Sequence, residues 1–198
     1  KNEVIKLSKK KINFPFFKKK KELKIINIAR FTDQKDHITL LKSIDHIKNK
    51  INLKLLIIGR GINLFKMKEF IKKRNLEKKV KILDFKKNPY PYLRMADMFI
   101  LTSKFEGLPN VLLEASALKK FIVSTNCPTG PNEIVLDNKS GFLCKVNDFK
   151  DISKKIFYFY NHQAKFKNKF KDYNQHLKKF DFNENLKKYF YEIIKIAK

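Results

Sequence analysis

At 198 residues the chain is long enough for one domain with a substantial core and too short for two of full size. Hydrophobic residues at 43% and aromatics at 13% exclude an intrinsically disordered chain. A formal net charge of +27 invites a polyanion-binding reading, but only four of the 46 basic residues are arginine (Arg30, Arg60, Arg74, Arg94), which argues against specific nucleic-acid recognition. The joint abundance of Lys, Ile, Asn and Phe fits an AT-rich coding bias, with attraction to an anionic membrane surface as the second reading.

Residues 1–23 carry two lysine clusters around Ile12, Phe14, Pro15, Phe16 and Phe17, and read as a linker or tether outside any periodic element. From Lys24 to about residue 182, short apolar runs alternate with segments of helical period, the pattern of a parallel sheet covered on both faces. The spacing predicts strands at Lys24 to Ala29, Leu53 to Ile58, Val80 to Leu83, Met98 to Leu101, Phe121 to Ser124 and Gly141 to Cys144. Between them, Asp36 caps a helix with Leu40, Leu41, Ile44 and Ile47 on one stripe, and Leu64, Met67 and Ile71 mark a second. Pro109 to Leu118 and Asp151 to Tyr160 are the next predicted helices. The fold class that follows is α/β, a Rossmann-like doubly wound parallel sheet of about six strands. A last amphipathic helix from Asn183 (residues 183–198) places Leu186, Phe190, Ile193 and Ala197 on one face, to pack on this domain or on a partner. No apolar run approaches the length of a membrane span and no secretory h-region opens the chain, so a soluble, cytoplasmic protein is expected, peripheral at most on the inner face of the membrane. The start at Lys1 rather than Met suggests missing upstream sequence.

In open parallel sheets ligands sit beyond the carboxyl ends of the strands, where helix N-termini offer free N–H groups to anions. Three loops there carry unusual residues. Thr102 to Asn110 contains Phe105, Glu106, Gly107, Leu108, Pro109 and Asn110, with Pro109 suited to a first helical turn and Gly107 permitting close backbone approach. Glu114 follows amid Val111, Leu112, Leu113, Ala115, Ala117 and Leu118, where a carboxylate needs hydrogen-bond donors or a shifted pKa; pairing with a nearby lysine is the simplest alternative. After the first strand, Arg30 and Lys35 both reach toward an anion at the sheet edge, with surface salt bridges as their alternative. After the fifth, Gly130 lies between Pro128 and Pro131 in a stiff turn opening a short helix. Gly59 and Gly61 resemble a dinucleotide fingerprint, but Leu64 stands where its third glycine belongs. Cys127 and Cys144 suit neither a disulfide framework nor a metal site, and none of His37, His46, His162 and His176 has metal-ligand spacing.

Together these loops resemble the C-terminal domain of retaining family-4 glycosyltransferases of the GT-B fold, from about Lys24 to the end of the chain. The resemblance rests on Glu106 and Glu114 within Glu-Gly-Leu-Pro-Asn-Val-Leu-Leu-Glu-Ala, the Arg30 to Lys35 spacing, the stretch from Asn88 to Tyr92 leading to Ala96 and Asp97, and Cys127 to Ile134 with the later Gly141. It implies one half of a GT-B fold in which Arg30 and Lys35 bind the donor diphosphate, and Glu106 with the backbone of Gly107, Leu108, Pro109 and Asn110 holds the donor sugar. Glu114 then accepts ribose hydroxyls, and Gly130 lies in the donor site. The implied activity is transfer of a hexose or N-acetylhexosamine, with retention, from a nucleotide sugar (by likeness UDP-linked) to a glycan or lipid-linked acceptor in cell-surface polysaccharide or lipopolysaccharide synthesis. No metal or other cofactor is implied, and the partner is an N-terminal GT-B domain absent from this chain, which alone is expected to bind donor weakly. A non-catalytic nucleotide-sugar-binding remnant and a basic polyanion-binding protein are the alternatives.

Overall fold

The computed structural model describes residues 1–17, 21–167 and 173–196. Six strands, β1 (Leu23–Ile28), β2 (Leu53–Ile58), β3 (Val80–Leu83), β4 (Met98–Leu101), β5 (Phe121–Thr125) and β6 (Gly141–Cys144), form one parallel sheet in the order β3-β2-β1-β4-β5-β6. This is the doubly wound arrangement, and its order reverses between β1 and β4, opening a crevice at their carboxyl ends. The strands read as unbroken apolar runs because both faces are covered: Leu53, Leu55 and Ile57 of β2 enter one core, and Leu56 and Ile58 the other.

Ahead of the sheet lies α1 (Asn2–Ser8). The helices within and after it are α2 (His37–Ile47), α3 (Leu64–Lys73), α4 (Tyr90–Met95), α5 (Asn110–Ala117), α6 (Pro131–Ile134), α7 (Phe149–Asn161), α8 (Gln163–Lys167), α9 (Tyr173–Lys178) and α10 (Phe182–Ile196). The first core takes Leu40, Leu41, Ile44 and Ile47 of α2, Met67 and Ile71 of α3, and Ile152, Ile156 and Phe159 of α7. The second takes Leu93 of α4, Leu112 and Ala115 of α5, and Ile134 of α6. Asp36 caps α2 as the sequence indicates, its Oδ1 accepting the Thr39 N–H at 3.2 Å.

Residues 1–23 depart from the expected tether. Asn2–Ser8 is helical and packs on α4, and Phe14 and Phe17 are buried in the second core. Lysines of the sheet help to cover these rings: Lys81 Nζ of β3 sits 5.7 Å from the Phe14 ring centre and Lys54 Nζ of β2 5.1 Å from that of Phe16. Burying each phenylalanine contributes on the order of 2 kcal/mol, enough to hold a short segment down. Lys18 to Lys20 lie outside the described residues.

At the other end, α10 forms as the periodicity requires, but its apolar face is uncovered, with Leu186, Phe190 and Ile193 at 40%, 56% and 49% exposure. Ala197 lies outside the described residues. No helix among the described residues is long and apolar enough to cross a membrane.

Candidate functional site

The loops leaving β1 and β4 meet at the switch point. Gln34 joins them twice, its carbonyl accepting the Lys104 N–H at 2.8 Å and its Nε2 donating to the Phe105 carbonyl at 2.9 Å. Thr102 Oγ1 lies 3.0 Å from the Lys35 carbonyl and 3.1 Å from that of Asp36. Thr125, at the end of β5, donates to the Ser103 carbonyl at 2.6 Å.

Within this frame Lys35 Nζ sits 2.5 Å from Glu106 Oε1, with the two side chains only 14% and 7% exposed. Ser103 Oγ donates to the same oxygen at 2.6 Å. Two residues that the sequence offers separately, Lys35 and Glu106, are therefore one largely buried ion pair joining the loops after β1 and β4, with Oε2 of Glu106 left for a further donor. The Cys127 thiol packs close by and is held above its ordinary pKa by burial and then by the Glu106 charge, so it stays protonated.

Just beyond Glu106 the chain enters α5 through Pro109, which has no N–H to lose. The N–H groups of Gly107, Leu108 and Asn110 have no hydrogen-bond partner among the described residues, so the helix start presents free donors and the positive end of its dipole at the crevice. Beside Gly107 there is open space where a side chain would stand. Gly130 serves differently. It is buried at φ +77°, and a Cβ there would lie 2.0 Å from the Gly107 carbonyl oxygen, so this glycine supports the Gly107 loop from beneath. Thr129 Oγ1 adds a hydrogen bond to the Glu106 carbonyl.

Glu114 lies about one turn along α5 and is half-buried. No lysine pairs with it among the described residues; instead the Tyr90 hydroxyl donates to its Oε1 at 3.2 Å. Burial raises its pKa, and the Tyr90 hydrogen bond works against that rise. Arg30 follows β1 with an exposed side chain that forms no hydrogen bond or ion pair among the described residues, so it does not join the Lys35 and Glu106 pair.

Gly59 and Gly61, suggestive of a dinucleotide loop, have a packing explanation. A Cβ on Gly59 would lie 1.9 Å from the Ala29 carbonyl oxygen and one on Gly61 2.5 Å from that of Phe31, so they let the loop after β2 press against the loop after β1.

His37 opens α2 behind the pair and is only 2% exposed. Asn27 on β1 spends its Nδ2 on the Ile100 carbonyl of β4, so its Oδ1 accepts from His37 Nε2, 3.0 Å away. This chain ties β1, β4 and α2 together at the crevice. Burial, followed in magnitude by the opposing field of Asp36, leaves the His37 pKa lowered from 6.5 to about 4. The folded state thus refuses a proton that the unfolded chain accepts below pH 6.5. The resulting destabilisation is absent above pH 6.5, grows as pH falls and saturates near pH 4 at about 3 kcal/mol. Urea unfolding at pH 7.5 and 4.5 measures it, with His37→Gln losing most of the pH-dependent part; an unchanged pH dependence in that variant contradicts the assignment.

Sequence reasoning did not single out Ser103, Thr102, Gln34, Thr129 or Tyr90. Thr102, Ser103, Thr129 and Tyr90 lie inside the stretches noted there, but their contacts, like those of Gln34, require knowing which loops become neighbours.

The chain is thus an α/β domain of the doubly wound type whose switch point carries a partly buried Lys35 and Glu106 pair beside an open helix start. The chain belongs to the family glycosyl transferases group 1, whose model matches residues 8–177. It is 41% identical over 111 residues to an uncharacterised glycosyltransferase of Methanocaldococcus jannaschii, covering 56% of this chain and 27% of that protein. Over 124 residues it is 35% identical to the N-acetylgalactosamine-N,N'-diacetylbacillosaminyl-diphospho-undecaprenol 4-alpha-N-acetylgalactosaminyltransferase of Campylobacter jejuni, covering 63% of this chain and 33% of that one. The chain thus spans between about a quarter and a third of these relatives. Among solved structures, Staphylococcus aureus TarM, crystallised with fondaparinux, alpha-GlcNAc-glycerol and UDP, superposes with a TM-score of 0.79 at 23% identity, over 86% of this chain and 35% of TarM. Anabaena HepE in complex with UDP gives 0.79 at 17% identity, over 87% of this chain and 49% of HepE. These structural neighbours are GT-B glycosyltransferases, and the six-stranded Rossmann-like sheet found here is the fold they share.

Proposed function

We propose that this chain is the donor-binding half of a retaining glycosyltransferase that takes a hexose or N-acetylhexosamine from a UDP-sugar. The carrying observation is the Lys35 and Glu106 pair beside the open start of α5. Breaking the bond between the anomeric carbon and the diphosphate leaves the electron pair and a growing negative charge on the departing phosphate oxygen. Lys35, Arg30 and the free N–H groups of Gly107, Leu108 and Asn110 stabilise that charge, each such contact being worth about 10² to 10³ in rate. As the diphosphate draws on Lys35, Glu106 becomes free to accept sugar hydroxyls, while Glu114 accepts those of the ribose. UDP in the TarM and HepE crystals supports the nucleotide, and the lipid-linked substrate named for the Campylobacter relative supports a glycan or lipid-linked acceptor in cell-surface polysaccharide assembly. The acceptor is held by an N-terminal GT-B domain, toward which the uncovered face of α10 turns, and the lysine-rich surface favours cytoplasmic work at an anionic membrane. No metal or other cofactor takes part.

Calorimetric titration of the 198-residue chain with UDP and GDP tests the reading. UDP is expected to bind in the micromolar to millimolar range, with Arg30→Ala and Glu114→Ala each weakening it about tenfold. Failure of either nucleotide to bind the wild type at millimolar concentration rejects the site.

A further inference from the structure

Tyr90 is fixed from several directions. It stands between Pro89 and Pro91, which restrict the backbone around it, and the Asn88 Oδ1 accepts its N–H at 3.2 Å. Asn88 is itself held to α1, its Nδ2 donating to the Leu7 carbonyl at 3.1 Å. From this position the phenol crosses from α4 to α5 and donates to Glu114 Oε1. Burial, and after it the Glu114 charge, raise the Tyr90 pKa to about 12, so the phenol remains a donor at every physiological pH.

The carboxylate it holds has no ion-pair partner among the described residues. Glu114 borders a cavity of about 660 Å³ that Leu113, Ala117, Val4 and Phe180 also line, so there is room beside it for a ligand. A free glutamate rotates about its terminal bond and offers its lone pairs in many directions. Anchored through one lone pair of Oε1, it offers the rest in a fixed plane, the arrangement that two adjacent O–H donors require.

We propose that Tyr90 is a positioning residue that sets the Glu114 carboxylate to receive a vicinal diol, so that the pair selects ribonucleotides over 2′-deoxyribonucleotides. This rests on the reading of Glu114 as the ribose acceptor. Selectivity follows because a 2′-deoxy ligand leaves a half-buried acceptor unpaired, and only when that acceptor is held in place is the loss felt in full.

The test compares UDP with 2′-deoxy-UDP on the full chain by calorimetry, for wild type, Tyr90→Phe and Glu114→Ala. Wild type is expected to prefer UDP about tenfold. Tyr90→Phe keeps the ring and its packing, and is expected to shrink the preference to about twofold or less by weakening UDP while leaving 2′-deoxy-UDP unchanged. Equal weakening of both ligands means a purely structural role for Tyr90 and overturns the proposal, as does an unchanged preference. The two levels separate cleanly. If Glu114→Ala abolishes the preference and Tyr90→Phe retains it, only the role of Tyr90 falls. A preference that survives in Glu114→Ala, or a wild type that binds no UDP, removes the reading of Glu114 and the proposal with it.

Discussion

Replacing Lys35 with methionine is expected to weaken UDP binding at least about 100-fold, a larger loss than from Arg30 or Glu114. Two effects combine in it. The variant lacks the cation proposed to face the diphosphate, and it leaves the Glu106 carboxylate, 7% exposed, with only the Ser103 hydroxyl on Oε1. That uncompensated negative charge then repels the very phosphates that the site is proposed to hold. Removing one partner of a buried pair also lowers stability, here by about 3 kcal/mol because Ser103 remains. A double-mutant cycle separates the parts: adding Glu106→Gln to Lys35→Met is expected to restore most of the stability and little of the affinity. Urea unfolding and calorimetry at pH 7 read the two quantities, and UDP affinity in Lys35→Met within about threefold of wild type removes Lys35 from the site.

Gly130→Ala is expected to be nearly as damaging by a different route, since no proposed ligand contact is removed. Its methyl would stand 2.0 Å from the Gly107 carbonyl oxygen and 2.5 Å from Pro109 Cδ, and the backbone lies at φ +77°, ψ −66°, where an alanine is strained. Neither neighbour is a flexible side-chain tip, so the loop carrying Glu106 to Pro109 has to move. Overpacking and strain together are expected to cost about 3 kcal/mol, lowering Tm by on the order of 10 °C. UDP binding is expected to fall with it, because the free N–H groups at the start of α5 travel with the loop. A variant of wild-type Tm that binds UDP normally shows that the loop yields without consequence.

Much of the sheet was legible because its strands are buried on both faces. Runs such as Leu55 to Ile58 and Met98 to Leu101 leave no polar residue to blur their limits, and four of the six predicted strands match the observed bounds. Of the other two, β1 lies one residue earlier at both ends and β5 runs one residue further. Glu114 was visible as a charge at an improbable place, Glu106 through its spacing to Glu114, and Lys35 only through its spacing to Arg30. Their partners were not, for a physical reason: Lys35 and Glu106 lie 71 residues apart, and Tyr90 and Glu114 lie 24 apart, so the pairings exist only once strand order places β1 beside β4 and α4 beside α5. Local pattern carries no information on that order. Phe14 and Phe17 were missed for another reason, that the lysines around them dominate any average over the window while only the two rings are buried.

The seating of those two rings bears on how the domain is cut for chimaeras. A graft beginning at Leu23, where the sheet starts, would remove Phe14 and Phe17 from the core they share with Leu93 and Ile26, lose the Phe14 contact with Tyr92 and release the Asn88 side chain from Leu7. Such a hybrid would carry a softened α4 even though every loop at the sheet edge had been copied. A junction placed before Asn2 carries the aromatic staple across intact, and with it the footing of Tyr90.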